Sequence, residues 1–254
     1  MSSNYRSILN AQGSSFASTN SFTFDGNTDF VQSASTYSQL DGQSKATYSM
    51  WLKPTSSSAL IRSVFQIGNG ASGGNGVCQL YIYQGNRIDF SISSSSTYGR
   101  ADISSLNYGS WNHLLIAVDL DSTDEFRCYL NGSDVTTSDS LGGRTAFLTA
   151  TEPLYIGEFT TGSYSPFLGN IDEFAIWSGT ALTLSDAVSI YNSGAPNNLN
   201  DSDVVATAPT TWYRMGEDAT YAGGAWTLVD QGSGSNNGSS TTLPPEALST
   251  DVPT

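Results

Sequence analysis

The chain has 254 residues, 38% hydrophobic and 11% aromatic, enough for a real core and within the range of one large β-sandwich. Only 13% are charged, and 23 acidic against 9 basic side chains leave a formal charge of −14. That balance argues against a nucleic-acid partner, which needs a basic footprint, and against an anionic membrane surface; the excess carboxylate suits cation binding or simply solubility.

Residues 1–20 are polar, with a short apolar patch at Tyr5, Ile8 and Leu9. They read either as an arm that docks on a neighbouring subunit or as a loose terminus. The opening stretch MSSNYRSILNAQGSS holds no apolar segment of a secretory leader, and no run reaches membrane-spanning length. Synthesis in the cytoplasm without a signal peptide or membrane insertion is the expectation.

In SFTFDGNTDFVQ, Phe22 and Phe24 alternate with polar residues, Asp25-Gly26 makes a turn, and Phe30-Val31 opens the next strand. In ATYSMWLK, Tyr48, Met50 and Leu52 share one face and Trp51 and Lys53 the other, until Pro54 ends the strand. Leu60 to Ile67 is a strand of mixed pattern, and NGASGGNG at 69–76 is a glycine-rich rim loop without the lysine or following helix of a phosphate loop.

Residues 77–93, VCQLYIYQGNRIDFSIS, read as a hairpin with a three-residue loop that pairs Tyr83 with Arg87, Tyr81 with Asp89 and Gln79 with Ser91. Cys78, Leu80, Ile82, Ile88, Phe90 and Ile92 then face the core. Gln79, Tyr81, Tyr83, Arg87 and Asp89 form the opposite, candidate ligand-binding face. Tyrosines interleaved with hydrogen-bonding groups suit a sugar-binding surface, with rings for sugar faces and polar groups for hydroxyls. They equally suit a protein interface or an ordinary solvated sheet face.

After the polar loop SSSSTYG, Trp111 to Gly132 forms a second hairpin around the acidic turn DSTDE. Pairing Leu120 with Phe126, Val118 with Cys128 and Ile116 with Leu130 puts all six on one face, and sets Asp119 against Arg127 on the other. Cys78 and Cys128, the only cysteines, sit at inward strand positions as small buried residues would; whether they pair is open. Residues 133–152 are a long polar connection. LYIG at 154–157 and LGNIDEFAIW at 168–177 are strands, the second with Asp172, Phe174 and Ile176 on one face and Glu173, Ala175 and Trp177 on the other. A helix is predicted over 183–193, with Leu184, Val188 and Tyr191 as its apolar stripe and Gly194 as its stop. The tail holds strand-like pieces at 211–215 and 226–229, then a low-complexity stretch that either wraps as a strap or stays mobile.

The fold class is therefore all-β: a two-sheet antiparallel jelly-roll sandwich with one short helix and extended termini. Three parts are expected: an N-terminal arm (1–20), a β-sandwich (21–200) and a C-terminal extension (201–254).

FDGNTDFV, TYSMWLK, WNHLLIAVD, YLNG, LYIG, GNIDEFAIW and a closing helix ending in YNSG occur in the order found in laminin-G-like, or concanavalin A-like, jelly-roll domains, which residues 21–195 resemble. The resemblance implies two packed antiparallel sheets with one concave face and loops at its rim. The tail segments WYRMGED, DQGSGSNNGSS and STDVP resemble the C-terminal part of laminin-G-like proteins of tailed-phage virions. That implies a virion protein, capsid- or tail-associated, made in the host cytoplasm, with other virion proteins or its own copies as partners and host cell-surface glycans as ligands. A glycan-binding module of a non-viral surface protein is the alternative.

Glycoside hydrolases of this fold class carry two carboxylates on one strand face. In GNIDEFAIW, Asp172 and Glu173 are adjacent and by alternation point to opposite faces, and the carboxylates of DLDSTDE lie in a turn. His113 is the single histidine and reads as packing, and the chain has too few His and Cys for a zinc site. No catalytic residues are expected, and a hydrolase is the least favoured function. The resemblance places the chain's early and late strands side by side, which implies a structural calcium shared by Asp25 and Asp172. The alternative is that Asp25 shapes its turn and Asp172 bonds locally. In the pentraxins, of related fold, calcium sits at loops matching 69–76 and the segment after LYIG. Glu158 falls at one ligand position, but Phe159, Thr160 and Thr161 replace the acidic or amide residues that follow.

Overall fold

A computed structural model describes residues 16–55, 61–68, 77–83, 87–92, 98–158 and 164–254. The apolar patch of the N-terminal arm, the glycine-rich loop 69–76, the hairpin loop 84–86, most of SSSSTYG and residues 159–161 lie outside them.

In chain order the strands are β1 (Ser21–Asp25), β2 (Val31–Ser33), β3 (Lys45–Pro54), β4 (Arg62–Ile67), β5 (Cys78–Tyr83), β6 (Arg87–Ile92), β7 (Gly99–Asp102), β8 (Asn112–Asp119), β9 (Phe126–Leu130), β10 (Ser133–Asp134), β11 (Thr136–Ser138), β12 (Leu154–Ile156) and β13 (Leu168–Ser178). Helix α1 (Leu184–Tyr191) follows, and then β14 (Thr211–Tyr213), β15 (Met215–Asp218), β16 (Thr220–Ala222), β17 (Ala225–Leu228), β18 (Gly238–Ser240) and β19 (Leu248–Ser249). Among the described residues, one sheet has the order β10-β9-β8-β3-β13-β1-β19 with β14 also on β13, and the other β11-β7-β6-β5-β4-β12-β2-β18-β17-β16. Every pairing between named strands is antiparallel, so the expected sandwich is present.

The alternation explains the core. Phe22, Phe24, Tyr48, Met50, Leu52, Leu80, Phe90, Ile116, Phe126 and Leu130 all point between the sheets and are buried. Cys78 and Cys128 join them as free thiols, one in each sheet, and burial pushes the Cys78 thiol up to about 12. The first sheet has a second, outer layer: Leu115, Ala175, Trp177 and Trp212 are covered by Ala187 and Ile190 of α1 and by Leu199 and Val205. No helix covers the outer face of the second sheet among the described residues. Nor is any described helix long and apolar enough to cross a membrane.

The 77–93 hairpin has the expected register: Tyr83 faces Arg87, Tyr81 faces Asp89 and Gln79 faces Ser91. The 111–132 hairpin differs by two residues, with Val118 opposite Phe126, Ile116 opposite Cys128 and Leu114 opposite Leu130. A two-residue slip leaves every side chain on its expected face, so hydrophobic pattern does not distinguish the two registers. The longer acidic loop decides it, closed by the Asp119 N–H on the Glu125 carbonyl at 3.0 Å. Asp119 consequently meets Lys45 of β3 at 2.8 Å, while Arg127 reaches Asp124 and Asp139.

Two further expectations are corrected. Leu184 and Val188 of the helix are 46% and 51% exposed, and Ala187 and Ile190 are the residues that dock. Thr183 caps this helix through a reciprocal bond pair with Asp186, and left-handed Asn192 ends it. The polar connection after residue 132 contributes β10 and β11 and buries Leu141 and Phe147. Of the two courses left open for the tail, the strap is the one present: β14 and β19 extend one sheet, and β16, β17 and β18 extend the other.

Candidate functional site

The expected ligand face lies on the uncovered side of the second sheet. One row of cross-strand neighbours crosses it: Ser63 of β4 beside Tyr81, Tyr81 beside Asp89, Asp89 beside Arg100 of β7, and Arg100 beside Ser138 of β11. Tyr81 is 2% exposed, because Tyr164 stacks on it with ring centroids 4.9 Å apart and planes at 19°. Tyr83 and Tyr98 flank it at 6.4 and 6.3 Å. The half-buried rings of Tyr83, Tyr98 and Tyr164 therefore present the aromatic surface, and Tyr81 is their support.

Asp89, 2% exposed, organises the polar side. Arg87 donates to both its oxygens, Nε to Oδ1 at 2.6 Å and Nη2 to Oδ2 at 2.9 Å. Such a two-point fork fixes the guanidinium plane, which lies 4.3 Å above the Tyr83 ring. Arg100 approaches the same carboxylate, Nε to Oδ1 at 3.4 Å, with its Cζ 5.5 Å from the Tyr98 ring. Gln79 stands half-buried beside Gln66 and Ser91. The structure thus brings together Gln79, Tyr81, Tyr83, Arg87 and Asp89. It adds Tyr98, Arg100 and Tyr164. The period-two pattern Tyr98, Arg100, Asp102 was the available signal for β7, masked by the serine run before it.

The two expected calcium ligands do not meet. Asp25 pairs with Leu168, four residues before Asp172 on β13, which separates them by about 13 Å of strand. Asp25 instead accepts from the backbone N–H groups of Asn27 and Thr28 at 2.8 and 3.3 Å, shaping its own turn.

Asp172 lies in a different cluster. Ile171 and Phe174 both enter the core, so the two residues between them form a bulge, with Glu173 at φ +48°. The expectation that Asp172 and Glu173 point to opposite faces is overturned. One oxygen of each lies within 4.8 Å of the other and of a Glu217 oxygen. Burial, with Glu173 beside it, holds Asp172 well above the carboxylate range; burial also pushes Glu173 up to about 7, against the opposing pull of Arg214.

These carboxylates are poorly suited to a metal, because five of their six oxygens already accept a hydrogen bond and a cation is already present. Arg214 Nε donates to Glu173 Oε1 at 3.1 Å and Trp212 Nε1 to Glu173 Oε2 at 2.7 Å. Ser18 Oγ donates to Asp172 Oδ2 at 2.6 Å, and the N–H groups of Thr19 and Asn20 donate to Glu217 Oε1. Of the six oxygens, Glu217 Oε2 is the buried one without a partner. Phe16 completes the clasp, stacking on Trp212 at 5.8 Å with Arg214 Cζ 4.2 Å from its ring. The void beside Glu173, lined by Ser49, Trp51 and Leu199, has no room for a water molecule. His113 is fully buried, its Nε2 2.8 Å from Ser49 Oγ.

A laminin-G-type family model, described as the concanavalin A-like lectin/glucanases superfamily, matches residues 25–187. The chain belongs to that superfamily. No match was found among curated proteins. Among solved structures, this superfamily member resembles a Bacteroides ovatus protein provisionally described as carbohydrate binding, with a TM-score of 0.67, 18% identity, and 94% of this chain against 62% of that one. It also resembles a heptameric SAP-like pentraxin from Limulus polyphemus (TM-score 0.55, 17% identity, 68% of this chain and 82% of that one). A third is the CBM40 module of the Ruminococcus gnavus IT-sialidase bound to α2,3-sialyllactose (TM-score 0.52, 16% identity, 69% and 100%). At these identities the likeness is one of fold.

Proposed function

We propose that the protein is a non-catalytic recognition protein that contacts glycans through the tyrosine-lined face of β5, β6 and β7. The observation that carries this reading is the grouping of Tyr83, Tyr98 and Tyr164 around a guanidinium pair held by buried Asp89. Aromatic faces stack against the C–H surfaces of sugars, and fixed planar donors donate to their hydroxyl oxygens. The existence of carbohydrate-binding modules on this fold supports it. So does the absence of a helix over this sheet among the described residues, in contrast to the covered outer face of the other.

The non-catalytic part rests on the carboxylates. The group that the bulge assembles is buried, bonded to Arg214 and Trp212, and has no water-sized space beside it. An acid–nucleophile pair needs access for a sugar and a water.

Tyr83→Ala and Tyr98→Ala are expected to weaken glycan binding about tenfold each, with the melting temperature little changed. Tyr81→Ala is expected to act mainly on stability, since the ring is buried. Binding retained in both of the first two variants would remove the face from consideration.

We further propose a place on a virus particle, capsid or tail, among other virion proteins or copies of this chain. The tail segments WYRMGED, DQGSGSNNGSS and STDVP support it. Mass spectrometry of purified particles should then find the protein in multiple copies. Its absence from particles would favour a glycan-binding module of a non-viral surface protein.

A further inference from the structure

The proposed glycan face has an unequal charge arrangement. Lys45, Lys53, Arg127 and Arg214 each sit against at least one carboxylate of their own: Asp119, Asp251, Asp124 and Glu173 respectively. Arg87 and Arg100 share one, Asp89. That carboxylate is 3% exposed at its side chain, whereas the two arginines are 36% and 42% exposed. At this carboxylate solvent therefore meets guanidinium, in a chain whose overall charge is −14. The second acid on this face, Asp102, is exposed and stands opposite Arg87 rather than Arg100; it accepts from the Ser104 N–H at 2.8 Å and forms no ion pair with either arginine among the described residues.

The two arginines are not equivalent. Arg87 spends Nε and Nη2 on the Asp89 fork and lies against Tyr83, so it serves as a brace. Arg100 turns only Nε toward Asp89, at 3.4 Å and without a hydrogen bond, and that nitrogen is a buried donor lacking a partner. Its terminal nitrogens make no hydrogen bond among the described residues, and its guanidinium lies near the half-buried Tyr98 ring. A planar fork beside aromatic rings, with a like-charged neighbour and a single shared counterion beneath, fits an anionic oxygen pair carried on a ring that stacks.

We propose that the glycan recognised here is acidic, bearing a carboxylate or a sulfate ester, and that Arg100 is the residue that reads that group. The inference rests on the proposed glycan-binding face and adds the ligand's charge and its reader. Asp89 is then a positioning residue: it holds Arg87 flat and draws Arg100 toward the rings without satisfying it. A neutral sugar would leave Arg100 facing water as it does now, and would gain nothing from the second arginine.

The test is an array carrying neutral glycans together with uronate-, sialate- and sulfate-bearing ones, probed with the full chain and with Arg100→Gln and Arg100→Lys. Acidic glycans should dominate the bound set. Arg100→Gln should lower their binding about tenfold or more, and Arg100→Lys, which keeps the charge and loses the fork, by less. Carboxylate-only or sulfate-only hits identify which source supplies the anion. Melting temperatures within a few degrees of the parent chain exclude unfolding, and if Arg100→Gln fails this check, Arg100→Lys carries the comparison. Hits confined to neutral glycans, or acidic hits indifferent to Arg100, overturn the inference and leave the glycan-binding reading intact. An array without hits overturns both.

Discussion

Replacing Arg214 by methionine is expected to destabilise the protein by about 3–5 kcal/mol at neutral pH, because it strips the counterion from a buried carboxylate group. Arg214 is 16% exposed at its side chain, and the Glu173 carboxylate that it bonds is 4% exposed. Glu217 lies 3.7 Å from its Nη2 and, through Oε1, holds the backbone of Thr19 and Asn20. Without the guanidinium, these acids can escape the cost of burial only by taking up protons, so the loss should shrink toward pH 5. Glu173→Gln combined with Arg214→Met should cost less than Arg214→Met alone, since the orphaned charge is then removed. The Arg214 Nη2 bond to the Ala17 carbonyl and the Phe16 stack should be lost too, raising hydrogen exchange at 16–20. Denaturant titration of the three variants measures this; a loss under 1 kcal/mol for Arg214→Met would contradict the buried-counterion account. The same geometry predicts that a chelator leaves the melting temperature of the parent chain unchanged, and a fall of several degrees would require a divalent ion that this arrangement does not accommodate.

The second large effect concerns pH. His113 is fully buried between Trp51 and Tyr191, with ring centroids 5.2 and 6.2 Å away, and its Nδ1 has no hydrogen-bond partner. Burial lowers it from 6.5 to about 3. The unfolded chain therefore takes up a proton below pH 6.5 that the folded chain refuses until about pH 3. Stability falls by roughly 1.4 kcal/mol per pH unit across that window, on the order of 4–5 kcal/mol in total. Glu173 has the opposite sign. Its folded value near 7 lies above the ordinary 4.5, so the folded state holds an extra proton between those values, and stability rises as pH falls from 7 to 4.5. Asp172, also held above its ordinary value, adds to the Glu173 slope, so between pH 4.5 and 6.5 the histidine offsets only part of the carboxylate gain and the parent chain should show a shallow rise in stability as pH falls. His113→Gln should expose the carboxylate slope, making the variant gain stability from pH 7 to 5. Equilibrium unfolding at half-unit pH steps checks it, and superimposable profiles would rule this coupling out.

How far sequence carried the fold and the site differs from element to element. The 77–93 hairpin was legible to the residue, because core alternation on both strands and a three-residue loop leave one register. The 111–132 hairpin was legible in its faces but not its pairing, since a shift of two preserves every face and only loop closure separates the alternatives. The helix was legible in position but not in its stop, which is left-handed Asn192 rather than Gly194. Its docking stripe was not, because Leu184 and Val188 outrank Ala187 in hydrophobicity while close approach to the Trp177 layer favours the smaller side chain.

A two-sheet all-β sandwich, its core residues, and the grouping of Gln79, Tyr81, Tyr83, Arg87 and Asp89 follow from residue order alone, because strand alternation is a local rule written into consecutive residues. What surrounds them depends on long-range packing. Tyr164 comes from 83 positions beyond Tyr81 to cover it, and Arg100 arrives from a strand hidden behind a serine run. A single bulge at Ile171–Phe174 turned two carboxylates, assigned to opposite faces, into one buried group. Arg214 and Ser18, distant in the chain, then filled the place expected for calcium. Bulges, loop closure and the meeting of remote segments depend on packing between strands, where the energies of many residues compete, and no run of neighbouring side chains encodes their outcome.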